Sequence, residues 1–382
     1  MSSDPSNEPC KPESDKELRE ALLSYARIRL VGGSTKSDGR SEREYAPIQL
    51  VSTQAMRGIT EYQPSEFVFT AYAGTRLDEI TEILSEHRQY LPFDPPLARA
   101  GATLGGTVAM AMSGSGRFRF GGVRDFILGA DFLTGDGKWI RSGGKVVKNA
   151  AGFDLPKLLV GSFGQLAAMT LLTFKVFPAP VERHSFRIEC ESHQEACERI
   201  ARLARGRWEF DAIDYRGRAK EIWLRLGTSL QSATQIADDI QSQFGDVVAM
   251  DNAVWRDVED LRFPEADWML IKTSTRLGEM RELATWCDEQ APFSAMHNSS
   301  AGAITWVNIA SSHWLALKKQ LDALRLPATI IRGSQGVAAG TLVFPSGVEE
   351  DSIAQKMKQV FDPDHRFATV ATMNHQADAS TH

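Results

Sequence analysis

The chain has 382 residues, 42% of them hydrophobic and 24% charged, with a formal net charge of −6. That is ample for two domains with cores of their own, and the lack of any basic tract argues against nucleic acid, whose phosphates demand a cationic footprint. Cys10, Cys190, Cys197 and Cys287 are scattered, without C-x-x-C or cluster spacing, which excludes an iron–sulfur cluster held by this chain and fits a reducing compartment.

Residues 1–17 are polar, without the apolar centre of a signal peptide, and no apolar run of about 20 residues follows. The expectation is a cytoplasmic protein that meets a membrane only through partners. Ser14 and Glu17 have the spacing of a capping box, after which Leu18, Ala21, Leu22 and Tyr25 recur at helical spacing. Residues 27–31 alternate like a strand and run into Gly32, Gly33, Ser34, Thr35, Lys36 and Ser37.

Such a turn gathers amides and hydroxyls at one point, suited to a pyrophosphate. It fits neither the Walker loop nor the dinucleotide fingerprint. Lys36 either adds a positive charge there or is a solvated surface lysine. Residues 48–53 and 67–72 read as strands, and a helix is expected over 74–91 with Thr75 as N-cap and Leu77, Ile80, Ile83 and Leu84 on one face. These elements make a small α/β lobe.

Fifteen of the 30 glycines then fall between Gly101 and Gly164, which marks this stretch as the organising part of the chain. Glycine reaches positive φ without strain, and without a Cβ it lets a flat or charged ligand lie on backbone amides. A glycine-rich meander whose glycines only turn hairpins is the plain alternative. Ala109, Met110, Ala111 and Met112 are apolar and uncharged, as expected beside a flavin ring or in a buried turn. Asp154 precedes Pro156 and reads as a helix N-cap with proline in the first turn.

Four runs occur in order: Ala102-Thr103-Leu104-Gly105-Gly106, then 121–129 from Gly121 through Arg124 and Asp125, then 148–154 from Lys148 to Asp154, and Gly161-Ser162-Phe163-Gly164. Together they resemble the FAD-binding domain of the vanillyl-alcohol oxidase and p-cresol methylhydroxylase (PCMH) superfamily. Within it, the 148–154 run and the short length are most similar to the smaller flavoprotein subunits of bacterial glycolate oxidases. The resemblance covers roughly residues 18–180, with a fainter echo at Phe361-Asp362-Pro363-Asp364.

It implies a two-lobed PCMH-type FAD-binding domain over residues 1–180. The cofactor-binding set is expected to comprise Gly32, Gly33, Ser34, Thr35, Lys36, Ser37, Thr103, Gly105, Gly106, Ser113, Gly114, Arg124, Gly152, Gly161, Ser162 and Gly164. Arg124 is read as an ion pair with Asp125, with phosphate as the other option. Covalent flavin linkage needs a His or Cys at the ring, and the matching positions have neither, so FAD is expected to be non-covalent. After Gly164 the superfamily continues Thr-Leu-Gly-Ile, whereas this chain has Gln165-Leu166-Ala167-Ala168.

At residues 177–180 composition changes: Trp139 precedes this point and the other seven tryptophans follow it. The second half alternates strands and helices, an α+β cap-like domain expected over 181–382 with helices on one face of an antiparallel sheet and a disordered tail from 373. His297 and His313 are candidate proton acceptors or, more simply, structural histidines. The metal- or base-bearing His run of superfamily hydroxy-acid oxidisers is absent, so no catalytic residue and no metal are assigned.

The resemblance implies an FAD subunit of a glycolate-oxidase-like complex oxidising glycolate or D-lactate, with a larger FAD subunit and an iron–sulfur subunit as partners. A self-sufficient FAD-dependent dehydrogenase is the second reading. A flavin-free scaffold is the third. The many tryptophans of the second half either fill its core or face a partner.

Overall fold

Ser14 starts the first helix, Asp15–Ser24, by accepting the Glu17 amide on its hydroxyl, and Leu18, Ala21 and Leu22 form its buried stripe. In this computed structural model, residues 8–36, 48–144, 154–262, 268–334, 337–347, 352–370 and 372–373 are described. Ser37, Gly152, most of the 148–154 run and the expected tail beyond 373 lie outside them. The chain divides into two compact units, one of Met1–Ser113, Gly122–Ala179 and Glu349–Val370, the other of Gly114–Gly121, Pro180–Val348 and Ala371–His382. The long stretch of the second unit begins at Pro180, a short earlier segment, Gly114–Gly121, joins it, and Glu349–Val370 falls in the first unit.

The first unit holds a parallel pair, Ile28–Val31 beside Gln49–Ser52, and a five-stranded antiparallel sheet. The sheet order is Ile59–Gln63, Val68–Tyr72, Ala168–Lys175, Ile127–Leu133, Trp139–Gly143. The strand expected to complete the first lobe, Val68–Tyr72, instead pairs with Ala168–Lys175. Alternation could not choose between these partners, since both offer apolar faces; Phe69 stacking on Phe174 at 6.0 Å shows which burial won. Leu18, Leu22, Ile28, Val51, Leu133 and Ala168 make one core with Phe367 from the returning segment.

The helix expected from Thr75 begins one residue later. Arg76 is the N-cap of Leu77–Glu86, and the buried Thr75 hydroxyl bonds Gly58 instead. Asp154 does cap Leu155–Leu159, accepting the Lys157 amide.

The second unit is built on a ten-stranded sheet. Its order is Val247–Met250, His184–Glu189, Glu221–Leu226, Ala212–Arg216, Ala295–Ser299, Ile304–Ala310, Trp268–Ser274, Ala328–Arg332, Leu342–Val343, Thr372–Met373. Pairing is antiparallel except at the last pair. Helices His193–Ala204, Leu230–Phe244, Leu277–Gln290 and Trp314–Ala323 supply Ile200, Ile240, Leu283 and Leu317 to one core with Tyr215, Ile222, Ile271 and Val307. The helix Val254–Glu259 buries Trp255 and Val258 with Ala212 in a separate cluster. Trp255, Trp306 and Trp314 are buried and Trp208, Trp223 and Trp286 pack against the cores, so these six serve the interior.

Candidate flavin cradle

Three backbone segments converge in the first unit. The strand Ile28–Val31 ends at Gly32 and Gly33, where a Cβ would stand 2.3 Å from Thr103 Oγ1 and 1.9 Å from the Gly101 carbonyl oxygen. Gly105 is equally confined, 2.8 Å from Ala73 Cβ, and its amide donates to the Ala73 carbonyl at 2.7 Å. The turn 161–164 closes the third side. Gly161 donates to Val108 O at 3.0 Å, Phe163 donates to Ala109 O at 2.9 Å, and Gly164 lies 3.9 Å from Leu30 Cβ, measured from the Cβ it lacks.

These glycines therefore have different reasons. Gly32, Gly33 and Gly105 let protein backbone meet protein, and the Gly105 amide is engaged by the Ala73 carbonyl. Gly161 and Gly164, at φ 81° and 73°, need the left-handed conformation. Gly106 alone among those in the Thr103–Gly106 run has room: its absent Cβ would meet only Thr103 Oγ1, at 3.0 Å. Thr103 caps the short helix Leu104–Ala109 by accepting that glycine's amide.

Two polar groups mark the cradle as built for a ligand. Thr107 Oγ1 and Ser162 Oγ are buried and lack a hydrogen-bond partner. They flank Val108 and Gly161, the two residues that join helix to turn, and buried hydroxyls left unpaired are costly. A polar ligand group reaching either hydroxyl would satisfy it. Ser34 adopts φ 51°, and Lys36, only 5% exposed, donates to Thr35 Oγ1 at 3.1 Å, which rules out the solvated-lysine alternative. Arg76, not picked out from sequence, has its guanidinium carbon 3.8 Å from the Cβ position of Gly101 and is paired with Asp78, whose carboxyl that guanidinium holds below its usual range. Only the fold brings Arg76 beside Gly101.

Ser113, 1% exposed, uses its hydroxyl to accept the Val123 amide at 2.9 Å, while Gly114 belongs to the second unit. Arg124 does not pair with Asp125. It donates to Lys157 O at 2.6 Å, while Asp125 accepts the Gly122 amide at 2.8 Å, so both have structural partners.

In the second unit, His297 is 1% exposed, with Nε2 2.8 Å from Asp214 Oδ2 and Nδ1 3.4 Å from Arg216 Nη1. Ser115 also donates to Asp214 Oδ2. Burial pushes the His297 pKa down in spite of Asp214. With both nitrogens engaged, His297 is a structural histidine; His313 Nδ1 sits 3.2 Å from Ser312 Oγ, outside this network. Burial pushes the Cys190, Cys197 and Cys287 thiols up to about 11, which makes them poor nucleophiles and metal ligands at neutral pH. Among the described residues no helix is long and apolar enough to cross a membrane.

Residues 10–143 match the family model of an FAD binding domain. Glycolate oxidase subunit GlcE of Escherichia coli is 41% identical over 181 residues, 47% of this chain and 50% of that protein. A D-lactate dehydrogenase of Archaeoglobus fulgidus is 29% identical over 201 residues, 51% of this chain and 44% of that protein. The matches thus span about half the length of these relatives. A solved structure of alkyldihydroxyacetonephosphate synthase superposes with a TM-score of 0.66 at 15% identity, covering 93% of this chain and 75% of that one. That likeness extends the α+β fold across both units.

Proposed function

We propose that this chain, in which residues 10–143 are an FAD binding domain, is the flavoprotein subunit of a complex that oxidises a small 2-hydroxy acid, glycolate or D-lactate, to its 2-oxo acid. The observation that carries this reading is the 41% identity over 181 residues with a glycolate oxidase subunit. The D-lactate dehydrogenase relative supports the same substrate class.

Bound FAD would supply a carrier of one or two electrons, able to pass on those released when the partner subunit oxidises the hydroxy acid. The chain's own contribution is to hold and orient it. Gly106 leaves room over the start of helix Leu104–Ala109, Thr107 and Ser162 offer unsatisfied hydroxyls, and Lys36 and Arg76 place positive charge near the glycine turn, where a pyrophosphate is favoured. The cradle segments contain neither His nor Cys, so the flavin is held without a covalent bond.

The chain works with partners: a larger FAD subunit that oxidises the hydroxy acid and an iron–sulfur subunit that takes the electrons onward, the assembly lying in the cytoplasm. Supporting this, the protein has no cluster spacing among its cysteines, and His297, the most buried histidine among the described residues, is committed to Asp214. The test is to purify the tagged chain with and without those subunits and follow anaerobic flavin reduction by glycolate and D-lactate. Reduction that needs the other subunits is expected. Steady turnover by the isolated chain, unchanged by adding them, would replace this reading with a self-sufficient dehydrogenase.

A further inference from the structure

The returning segment 352–370 lies outside the matched domain yet touches two walls of the cradle. Lys358, on the helix Ser352–Phe361, directs its ammonium at three acceptors: Gln165 O at 2.7 Å, Asp362 Oδ2 at 2.5 Å and Phe367 O at 2.8 Å. An ammonium has three donors, and all are used. Gln165 directly follows the turn 161–164, and its side-chain oxygen accepts the Val370 amide at 3.2 Å. Phe367 bridges to Ile28, while Ile28 donates to Arg366 O at 2.7 Å and accepts from the Ala368 amide at 2.8 Å. Ile28 opens the strand that ends at Gly32.

Asp362, fully buried, completes the joint. It accepts the Arg366 and Phe367 amides, each at 2.9 Å, and its Oδ1 lies 1.9 Å from the Cβ position of Gly135, so only glycine fits opposite it. A buried ion pair adds little net stability but fixes geometry when every donor and acceptor is matched, and removing one partner leaves an uncompensated charge. Here the pair ties the residue after one cradle turn to the segment that edges the strand leading to the other.

We propose that Lys358 is a positioning residue for the flavin: by holding Gln165 against the Phe367 carbonyl, it sets the spacing between the 161–164 turn and the Gly32–Gly33 turn, and hence the affinity for FAD. This rests on the cradle being the flavin site. The effect of Lys358 is indirect, through the Gln165 and Phe367 carbonyls it holds.

The test is an FAD titration of the flavin-stripped full chain, with thermal unfolding of the same apo samples. Lys358→Met is expected to weaken FAD about tenfold, the loss of one charge-assisted hydrogen bond's worth of orientation. Phe361→Leu trims the same region, where Phe361 packs on Phe132 at 6.0 Å, and is expected to lower the apo melting temperature while leaving the FAD dissociation constant within about twofold. If Lys358→Met does not fold, Asp362→Asn, nearly isosteric, carries the same expectation. Wild-type affinity in the folded Lys358 or Asp362 variant, or equal weakening in Phe361→Leu at matched loss of stability, would overturn the proposal. A wild-type chain that binds no FAD would instead overturn the cradle reading on which it stands.

Discussion

Asp214 and His297, 0% and 1% exposed, face each other across adjacent strands with Nε2 2.8 Å from Oδ2, and the same carboxylate oxygen accepts the Ser115 hydroxyl. Ser115 lies in Gly114–Gly121, which belongs to the second unit although both flanking segments belong to the first. A hidden carboxylate with these partners anchors that excursion.

Replacing His297 by Gln should lower stability by about 2 kcal/mol, because a buried acceptor loses its partner. It should also change the pH profile. Burial depresses the folded-state pKa of His297 below its ordinary 6.5, so the unfolded chain binds the proton first and stability falls as pH drops below that value. Urea unfolding across the acid range should show a shallower fall for His297→Gln than for wild type; parallel profiles would show that His297 does not drive the acid limb.

Lys272 gives the opposite experiment. Burial, helped by the positive charge of Arg117, lowers its pKa from 10.5 to about 8. Below that pH the folded protein carries an unfavourable charge, so wild-type stability should rise from pH 8 towards 10.5 as the unfolded chain alone retains the proton. Lys272→Met keeps the contact with the Trp306 ring and should be stabilising at neutral pH by about 1–2 kcal/mol, with the gain shrinking in alkali. A variant less stable than wild type at neutral pH would count against this balance.

Gly33 and Gly106 should fail in different ways. A Cβ at Gly33 collides with the Gly101 carbonyl at 1.9 Å, whereas at Gly106 it meets one hydroxyl at 3.0 Å. Gly33→Val should therefore lower the apo melting temperature, while Gly106→Val should retain the apo fold and lose FAD. Circular dichroism with flavin occupancy separates the two, and full occupancy in Gly106→Val would remove Gly106 from the site.

Acid precipitation of the holoprotein should leave the pellet colourless and the supernatant yellow, since no His or Cys lies in the segments around Gly32, Gly106 and Gly161. Flavin retained in the pellet would mean a covalent link to another part of the chain.

The sequence by itself determined the cofactor class and the local elements. Glycine at Gly161 and Gly164, the Ser14 and Asp154 caps, and the apolar periodicities all report requirements met within a few residues, so they are legible in one dimension. The tertiary structure decided which amides are already spent, as at Gly105 with Ala73, which strand pairs with Val68–Tyr72, and that Arg124 donates to the Lys157 carbonyl rather than pairing with Asp125. It also brought Arg76 to Gly101 and Lys358 to Gln165, 193 positions away. Hydrogen-bond saturation and burial depend on neighbours supplied by distant segments, and no local pattern of a single chain encodes which neighbour arrives.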